Sequence, residues 1–297
     1  SVVLSSTCIH AEDYPNRPVG LVVALAAGGS SDVIARIFAA KLSETLGQQV
    51  VIDNRPGAGG SVGGDIVSHA PADGYTLFFA ANGTIAIAPN LLKLPFDVRT
   101  DLAPISMVGV SPFVMMIHPA IPAKSVQELI AYARSNPNAI NFGSSGQGST
   151  GHLAWELVKA QTNTRMTHVP FKGAAPAMVS LVAGEIEAAM FGTSAAIGFI
   201  KRGQVRALGV TTLKRAAILP DIPAIAETIP GYDVASWYGF MAPQKTPAAI
   251  IARLHKATVS AMTSAEVKQK MSAAGAEADA TTPEGLAAKM KEEIPRW

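Results

Sequence analysis

Short apolar runs alternate along the chain with longer stretches in which apolar residues recur at helical spacing. Residues 21–25 form an aliphatic, β-branched run that predicts a buried strand. An amphipathic helix is predicted directly after it, from the spacing of Ile34, Ile37, Phe38, Leu42 and Leu46. Alternation of this kind gives mostly parallel sheets flanked by helices, so the pattern predicts an α/β fold.

The same pattern continues to the end of the chain. Further strands are predicted at 49–52, 75–79, 105–110, 113–117, 140–142, 166–170, 186–191 and 205–211. Helices are predicted around 65–69, 125–133 and 175–183, with one more carrying His152, and Thr246, Ser264 and Thr282 are each expected to cap a helix.

Three polar turns follow predicted strands and precede predicted helices. They contain Gly28-Gly29-Ser30-Ser31-Asp32, Asn82-Gly83-Thr84, and the segment 143–150 with Ser145, Gly146, Gln147, Ser149 and Thr150. Ligands of open α/β sheets bind at the carboxyl ends of strands, and free amides at a helix N-terminus favour an anion. We therefore expect these turns to form an anion site.

Length and composition narrow the class of protein. A chain of 297 residues that is 48% hydrophobic suits two medium α/β domains. The net charge of +2 provides no basic footprint for nucleic acid, and the apolar runs are shorter than the roughly 20 residues of a membrane span. Cys8 is the single cysteine, which excludes an internal disulfide and a cysteine-based zinc site.

No motif for catalysis, a cofactor or a metal emerges. The glycine-rich turn 54–64 lacks the lysine of a phosphate-binding loop, and Val62 interrupts the dinucleotide fingerprint. A nucleophile elbow and paired metal-binding histidines are absent from the sequence. We therefore predict that the protein is not an enzyme and binds no cofactor.

Two polar residues and one aromatic pair have alternative interpretations. His152, in the first turn of a predicted helix, is either a ligand-binding residue or a histidine held by neighbouring backbone, and the sequence favours neither. Asp32 could act as a base, although an aspartate at a helix start is more often structural. Trp237-Tyr238 could line a cleft, but core packing is favoured.

Residues 1–11 resemble the end of a secretory signal peptide, with small residues leading to an Ala-containing cleavage pattern before Glu12. This predicts export of the mature chain. Cys8 could alternatively carry a lipid.

Many motifs in register resemble one family, the Bug-type solute receptors of tripartite tricarboxylate transporters. They cover nearly the whole chain after Glu12, and include Asn54-Arg55-Pro56-Gly57-Ala58-Gly59-Gly60, Asp73-Gly74-Tyr75-Thr76-Leu77, Ser144-Ser145-Gly146, His152-Leu153, His168-Val169-Pro170-Phe171-Lys172-Gly173, Leu219-Pro220-Asp221-Ile222-Pro223 and Pro230-Gly231-Tyr232.

The resemblance implies a periplasmic, two-domain Venus-flytrap clamshell of the periplasmic-binding-protein class. The expected first domain combines residues 12–110 and 235–297, and the second contains residues 111–234. It also implies a small carboxylate held in the interdomain cleft by loops 26–32, 80–84 and 144–152. The expected partners are this ligand and the membrane components of the transporter, and the receptor is expected to be a monomer.

The chain departs from the family pattern at three places. Ala26-Ala27 replace two prolines, Phe171 replaces a tyrosine, and Phe191 stands where an aspartate commonly faces the ligand. An apolar wall at Phe191 predicts an aromatic or short aliphatic acid and excludes amino acids, because a buried ammonium group needs a partner.

The predicted ligand-binding residues are therefore Ala27, Gly28, Gly29, Ser30, Ser31, Asp32, Asn82, Gly83, Thr84, Ser145, Gly146, Gln147, Ser149, Thr150, His152, Phe171, Lys172, Phe191 and Thr193. The predicted function is an extracytoplasmic receptor that delivers its ligand to the transporter. The alternatives are an enzyme acting on a small carboxylic acid and a ligand-sensing subunit of a membrane signalling kinase.

Overall fold

The computed structural model describes residues 14–25, 27, 30–171 and 173–297, and for Ser30 and Ala58 the backbone alone. The predicted signal segment, Ala26 and three predicted ligand-binding residues lie outside the described residues; the three are Gly28, Gly29 and Lys172.

The elements are numbered in chain order. The strands are β1 (Val19–Val23), β2 (Val50–Asn54), β3 (Thr76–Ala81), β4 (Leu102–Ile117), β5 (Asn141–Ser144), β6 (Thr167–Pro170), β7 (Ala188–Gly192), β8 (Arg206–Val210), β9 (Ala235–Pro243) and β10 (Glu277–Ala278). The helices are α1 (Ser30–Leu46), α2 (Ser61–Ser68), α3 (Ala88–Leu91), α4 (Val126–Ser135), α5 (Thr150–Thr162), α6 (Ala174–Ala183), α7 (Thr193–Lys201), α8 (Ala248–Thr263), α9 (Ala265–Ala273) and α10 (Pro283–Arg296). In the part of the chain that the structure describes, no helix has the length and apolar character that a membrane crossing requires.

The chain forms two compact units. Unit 1 contains residues 1–108, 238–267 and 279–297, and unit 2 contains residues 109–237 and 268–278. Residues 268–278 thus belong to unit 2, whereas the sequence analysis assigned them to the first domain; the predicted boundaries stay a prediction.

Unit 1 is built on a mixed sheet in which β1 lies between β2 and β3. β1 is parallel to both β2 and β3, and β9 is antiparallel to β3. The carboxyl ends of β1, β2 and β3 therefore lie at one edge. Aromatic rings fill the core beside this sheet, with Phe38 5.0 Å from Phe240 and Phe79 5.6 Å from Tyr238 between ring centroids.

Unit 2 has β5 between two parallel neighbours, β6 and β7. β4 is antiparallel to β7, β8 and β10. The carboxyl ends of β5, β6 and β7 share an edge, and a hydrophobic cluster packs on the sheet; it includes Val114, Met116, Leu181, Ala189 and Phe191.

Two predictions about local structure are wrong. The strands predicted at 105–110 and 113–117 are one strand, β4, because Pro112 removes only one donor and pairing resumes at Phe113, opposite Gly192. Thr246 does not cap α8, which begins after Pro247 with no side-chain cap. Trp237 and Tyr238 are both almost fully buried, which agrees with the favoured packing interpretation.

Candidate functional site

The turns that follow β1, β2 and β3 are neighbours at the carboxyl edge of unit 1. The Ala24 amide donates to the Phe79 carbonyl (3.1 Å), and the Arg55 amide donates to the Val23 carbonyl (2.9 Å). Ala27 is exposed and Ser31 is half-buried, while Ser30 provides the first residue of α1. The predicted residues of the first turn that the structure describes are therefore on this edge.

Asp32 is a buried carboxylate that holds the start of α1. One of its oxygens accepts from Arg36 Nε (2.9 Å) and the other from Asn54 Nδ2 (3.0 Å). Asn54 Nδ2 also donates to the Leu25 carbonyl (3.0 Å), immediately before the first turn. Because both carboxylate oxygens accept hydrogen bonds from other side chains, this geometry favours the structural interpretation of Asp32.

The second turn, Asn82-Gly83-Thr84, leads into a π-helical turn over Gly83–Ile87. Asn82 and Thr84 are buried, and Gly83 is half-buried. The turn preceding α2 packs closely against it, since a Cβ on Gly60 would lie 2.3 Å from Thr84 Oγ1 and 3.0 Å from Ala24 Cβ. Three segments of unit 1 thus meet at one place.

The third turn connects β5 to α5 in unit 2. Ser145 and Gln147 are exposed, and Gly146, Ser149 and Thr150 are half-buried. The Ser149 hydroxyl accepts the His152 amide (3.4 Å) as the helix cap. A helix leaves its first amides without intrahelical acceptors, so the N-terminus of α5 adds donors to this turn.

The His152 side chain holds this turn from inside. Its Nδ1 accepts the Gly148 amide (3.0 Å), so the ring proton is on Nε2, which lies 3.6 Å from Glu156 Oε1. Burial lowers the pKa of His152, and among the smaller effects Glu156 raises it and Lys159 lowers it. This is the second of the two interpretations from the sequence, a histidine bound to neighbouring backbone.

His168 on β6 is a residue of this region that the predicted site did not include. Its Nε2 lies 2.7 Å from Ser144 Oγ, and its ring stacks on His152 with centroids 3.8 Å apart. Burial, followed by the charge of His152, lowers the pKa of His168 to about 4. The pairing of β5 with β6 sets His168 opposite Phe142, and only that tertiary register brings it to the turn.

Three further predicted residues lie at or near the same edge of unit 2. The Phe171 amide donates to the Ser144 carbonyl (3.0 Å), and its half-buried ring packs against the hydrophobic cluster. Phe191 is 2% exposed within that cluster. Thr193 is buried and its hydroxyl donates to the Gly275 carbonyl, which also accepts from Ser111 (2.9 Å).

These positions change the interpretation of Phe191 and Thr193. The predicted apolar wall at Phe191 is a core side chain of unit 2, and the Thr193 hydroxyl is used within the protein. Their assignment as ligand-binding residues stays a prediction, without support from their side-chain environment.

Other features of the described residues do not coincide with these turns. Within those residues, no group of three metal-binding side chains is clustered. A groove of about 470 Å³ in unit 1 is lined by residues that include His69, Thr100, Asp101, Gln244 and Lys245, none of them predicted for the site. Pro243, which ends the antiparallel β9, also lines this groove, so it lies toward the amino end of β3.

Residues 34–297 match the model of a protein family described as the tripartite tricarboxylate transporter family receptor. Among solved structures, Rpa4515 of R. palustris with adipate is similar, with 37% identity, a TM-score of 0.85 and 96% of both chains covered. MatC of Rhodopseudomonas palustris with bound malate has 32% identity and a TM-score of 0.82, covering 96% of this chain and 98% of MatC. The periplasmic binding protein BugD has 34% identity and a TM-score of 0.81, with 96% of both chains covered.

Proposed function

The chain belongs to the tripartite tricarboxylate transporter receptor family, and from this premise we propose that it captures a small aliphatic carboxylate and delivers it to the membrane components of such a transporter. The resemblance inferred from the sequence and the α/β periplasmic-binding-protein fold class are confirmed by this match and by the likeness to BugD. We place the mature receptor in the periplasm, as the name of BugD indicates for that relative.

The observation that carries the proposal is the arrangement of polar turns at the carboxyl edges of two sheets. One helix in each unit begins at such a turn, α1 in unit 1 and α5 in unit 2. The free amides at each helix N-terminus supply donors aligned with the helix dipole. The turns contain no arginine or lysine in residues 27–32, 82–84 and 145–150. Main-chain amides and hydroxyls are therefore the proposed partners of the ligand carboxylate.

The proposed ligand-binding residues are those predicted for the three turns. Asp32 and His152 are exceptions, because they position other groups and do not contact the ligand themselves. Asp32 fixes the start of α1, and His152 fixes the Gly148 amide. We assign contact with the ligand to the main chain and hydroxyls of Ser31, Thr84 and Ser149 and to the exposed turn residues Ser145 and Gln147.

The choice of an aliphatic acid rests on two grounds. The structure of Rpa4515 contains adipate and that of MatC contains malate, and each alignment covers 96% of this chain. A wall of the site at Phe191 would favour an aromatic acid and exclude amino acids, but that side chain packs in the core. Aromatic acids and amino acids therefore become competitors in the test.

Isothermal titration calorimetry with adipate, malate, benzoate, glutamate and the neutral diamide of adipic acid tests the proposal. We expect saturable 1:1 binding of an aliphatic carboxylate and no binding of the diamide. Affinity should depend only modestly on salt, because neutral amides rather than arginines bind the anion. Equal binding of acid and diamide, or binding of benzoate alone, would contradict the proposed ligand class.

The same samples distinguish a receptor from an enzyme. After prolonged incubation with substoichiometric protein, chromatography should recover the bound acid chemically unchanged. Conversion of that acid into a product would support the enzyme alternative instead.

A further inference from the structure

Four aromatic rings form a continuous stack behind the turn between β5 and α5. Phe142 lies 5.5 Å from Trp155 and 5.1 Å from His168, and His168 lies 3.8 Å from His152 between ring centroids. The two histidine rings are nearly parallel, with an interplanar angle of 15°. Two imidazoles this close repel each other when both are charged, so the stack favours an uncharged pair.

Each histidine makes one hydrogen bond to the turn. His152 Nδ1 accepts the Gly148 amide, as described above. Ser144 Oγ donates to the Gly146 carbonyl (2.9 Å) and accepts the Gly146 amide (3.1 Å). Because the hydroxyl has one hydrogen, His168 Nε2 is the donor in its 2.7 Å bond to Ser144 Oγ.

The two rings therefore fix the turn at Gly146 and at Gly148, where φ is 131° and 73°. These left-handed conformations suit glycine alone, and the histidines hold the peptide groups beside them. The exposed Ser145 and Gln147 lie between the fixed positions.

We propose that His152 and His168 act as an uncharged, stacked pair of positioning residues that holds the β5–α5 turn in its binding form, and that proton uptake by the pair releases this turn. The assignment of the turn as a binding element rests on the proposed function. The fixing of the turn by the pair does not.

Protonation acts differently on the two rings: on His152 it breaks a hydrogen bond, whereas on His168 it leaves the Nε2 donor to Ser144 in place and adds a charge beside the other ring. A proton on His152 Nδ1 removes the lone pair that accepts the Gly148 amide, so that hydrogen bond is lost. A charge on either ring also faces the other ring at 3.8 Å. Depression of both histidine pKa values by burial agrees with a pair that is neutral at pH 7.

Among the described residues, the charged groups that act on the pair are both on α5. Glu156 is 3.6 Å from His152 Nε2 and favours the protonated ring, whereas Lys159 opposes it. Lys159 Nζ lies 2.8 Å from Glu156 Oε1, so the carboxylate is already paired. These two charges offset each other in part, which leaves burial as the leading effect on both rings.

Nuclear magnetic resonance without ligand tests the pair directly. The ring protons of His152 and His168 and the amides of Gly146 and Gly148 are followed from pH 7.5 to the lowest pH at which the protein remains folded. We expect both amides to shift with the same midpoint as the rings. Titration of the rings with the glycine amides unchanged would overturn the proposal.

Variants separate positioning from general structural support. His168→Gln keeps a donor near Nε2 but cannot titrate in this range, whereas His168→Phe keeps an aromatic ring and loses the donor. We expect His168→Gln to bind adipate, used as the probe, within about twofold of the parent at pH 7. His168→Phe should lose about two- to tenfold, the equivalent of one net hydrogen bond.

The decisive quantity is the affinity ratio of His168→Gln to the parent at each pH, because ionisation of adipate cancels in that ratio. We expect it to be near one at pH 7 and to rise as the pH falls toward 4, reaching about twofold where half of His168 is protonated in the parent. His118→Gln, a histidine of unit 2 at the end of β4, is the matched control and should give a constant ratio. A constant ratio for His168→Gln would contradict the proposal.

The outcomes distinguish the two claims. If the parent binds none of the carboxylates, the proposed function fails, while the titration of Gly146 and Gly148 still reports on the histidine pair. If the parent binds and the glycine amides do not follow the rings, the pair fails alone.

Discussion

Gly60 is the position where a single methyl group should disturb unit 1 most clearly. It precedes α2 with φ of 90°, and an added Cβ would lie 2.3 Å from Thr84 Oγ1, 2.8 Å from Thr84 Cγ2 and 3.0 Å from Ala24 Cβ. Thr84 and Ala24 flank two of the proposed binding turns. Gly60→Ala must therefore move the turn before α2 away from them.

Gly47 provides a matched control. Its φ is 71°, and a Cβ there would meet no atom within 4 Å. Gly47→Ala thus contains the backbone strain of the left-handed region without the steric clash. Both glycines are in unit 1, so the difference between the two variants isolates the clash.

The magnitudes follow from these distances. Alanine in the left-handed region costs about 1–2 kcal/mol. Alanine also lowers the conformational entropy of the unfolded chain, which stabilises the folded state by about 0.4–1 kcal/mol and offsets part of this cost. Gly47→Ala should therefore lower the free energy of unfolding by about 0–1.6 kcal/mol. Overpacking adds about 1–3 kcal/mol at Gly60, giving a total loss of about 1–4.6 kcal/mol.

Urea unfolding followed by far-ultraviolet circular dichroism measures both variants against the parent. Gly60→Ala should also weaken adipate binding, because Thr84 shifts, whereas Gly47→Ala should not. Equal losses of stability in the two variants would show that the close approach of Gly60 to Thr84 does not constrain this part of unit 1.

Two further comparisons use matched pairs within unit 1. Asp32→Asn should lower the free energy of unfolding in urea by about 1.5–3 kcal/mol, because it removes the charge that holds Arg36 and the start of α1. Asp53→Asn should lower it by less than about 0.5 kcal/mol, because Asp53 pairs with Arg55 at an exposed site. Thr246→Val should stabilise the protein by about 1 kcal/mol, since this buried hydroxyl has no hydrogen-bond partner among the described residues. Thr258→Val should instead destabilise the protein, because its hydroxyl donates to a backbone carbonyl (2.8 Å). A larger loss for Asp53→Asn than for Asp32→Asn, or for Thr246→Val than for Thr258→Val, would contradict the role given to that side chain.

Local signals were sufficient for the elements that carry the turns. The apolar run 21–25 and the helical spacing after Ile34 correspond to β1 and α1. Ser125 caps the helix that the sequence predicts over 125–133, and its hydroxyl accepts the Glu128 amide (3.1 Å). A cap such as Ser125 depends only on neighbouring residues and can be located from the sequence, whereas the cap predicted at Thr246 is wrong.

The remaining features depend on contacts that are remote in sequence. His168 reaches the turn because β6 pairs with β5, 24 residues from Ser144. Phe191 faces the core because of its register on β7, opposite Val114. Alternation along a strand gives two faces but does not tell which is buried when both are apolar, and this is why the wall proposed at Phe191 was not secure.

The most direct test of the proposed site is a map of the amides that respond to adipate in the ¹⁵N-labelled protein. We expect the largest chemical-shift changes on residues 27–32, 82–84 and 145–151, at saturation with one adipate. Changes confined instead to the groove that contains His69, Asp101 and Lys245, with these turns unaffected, would contradict it.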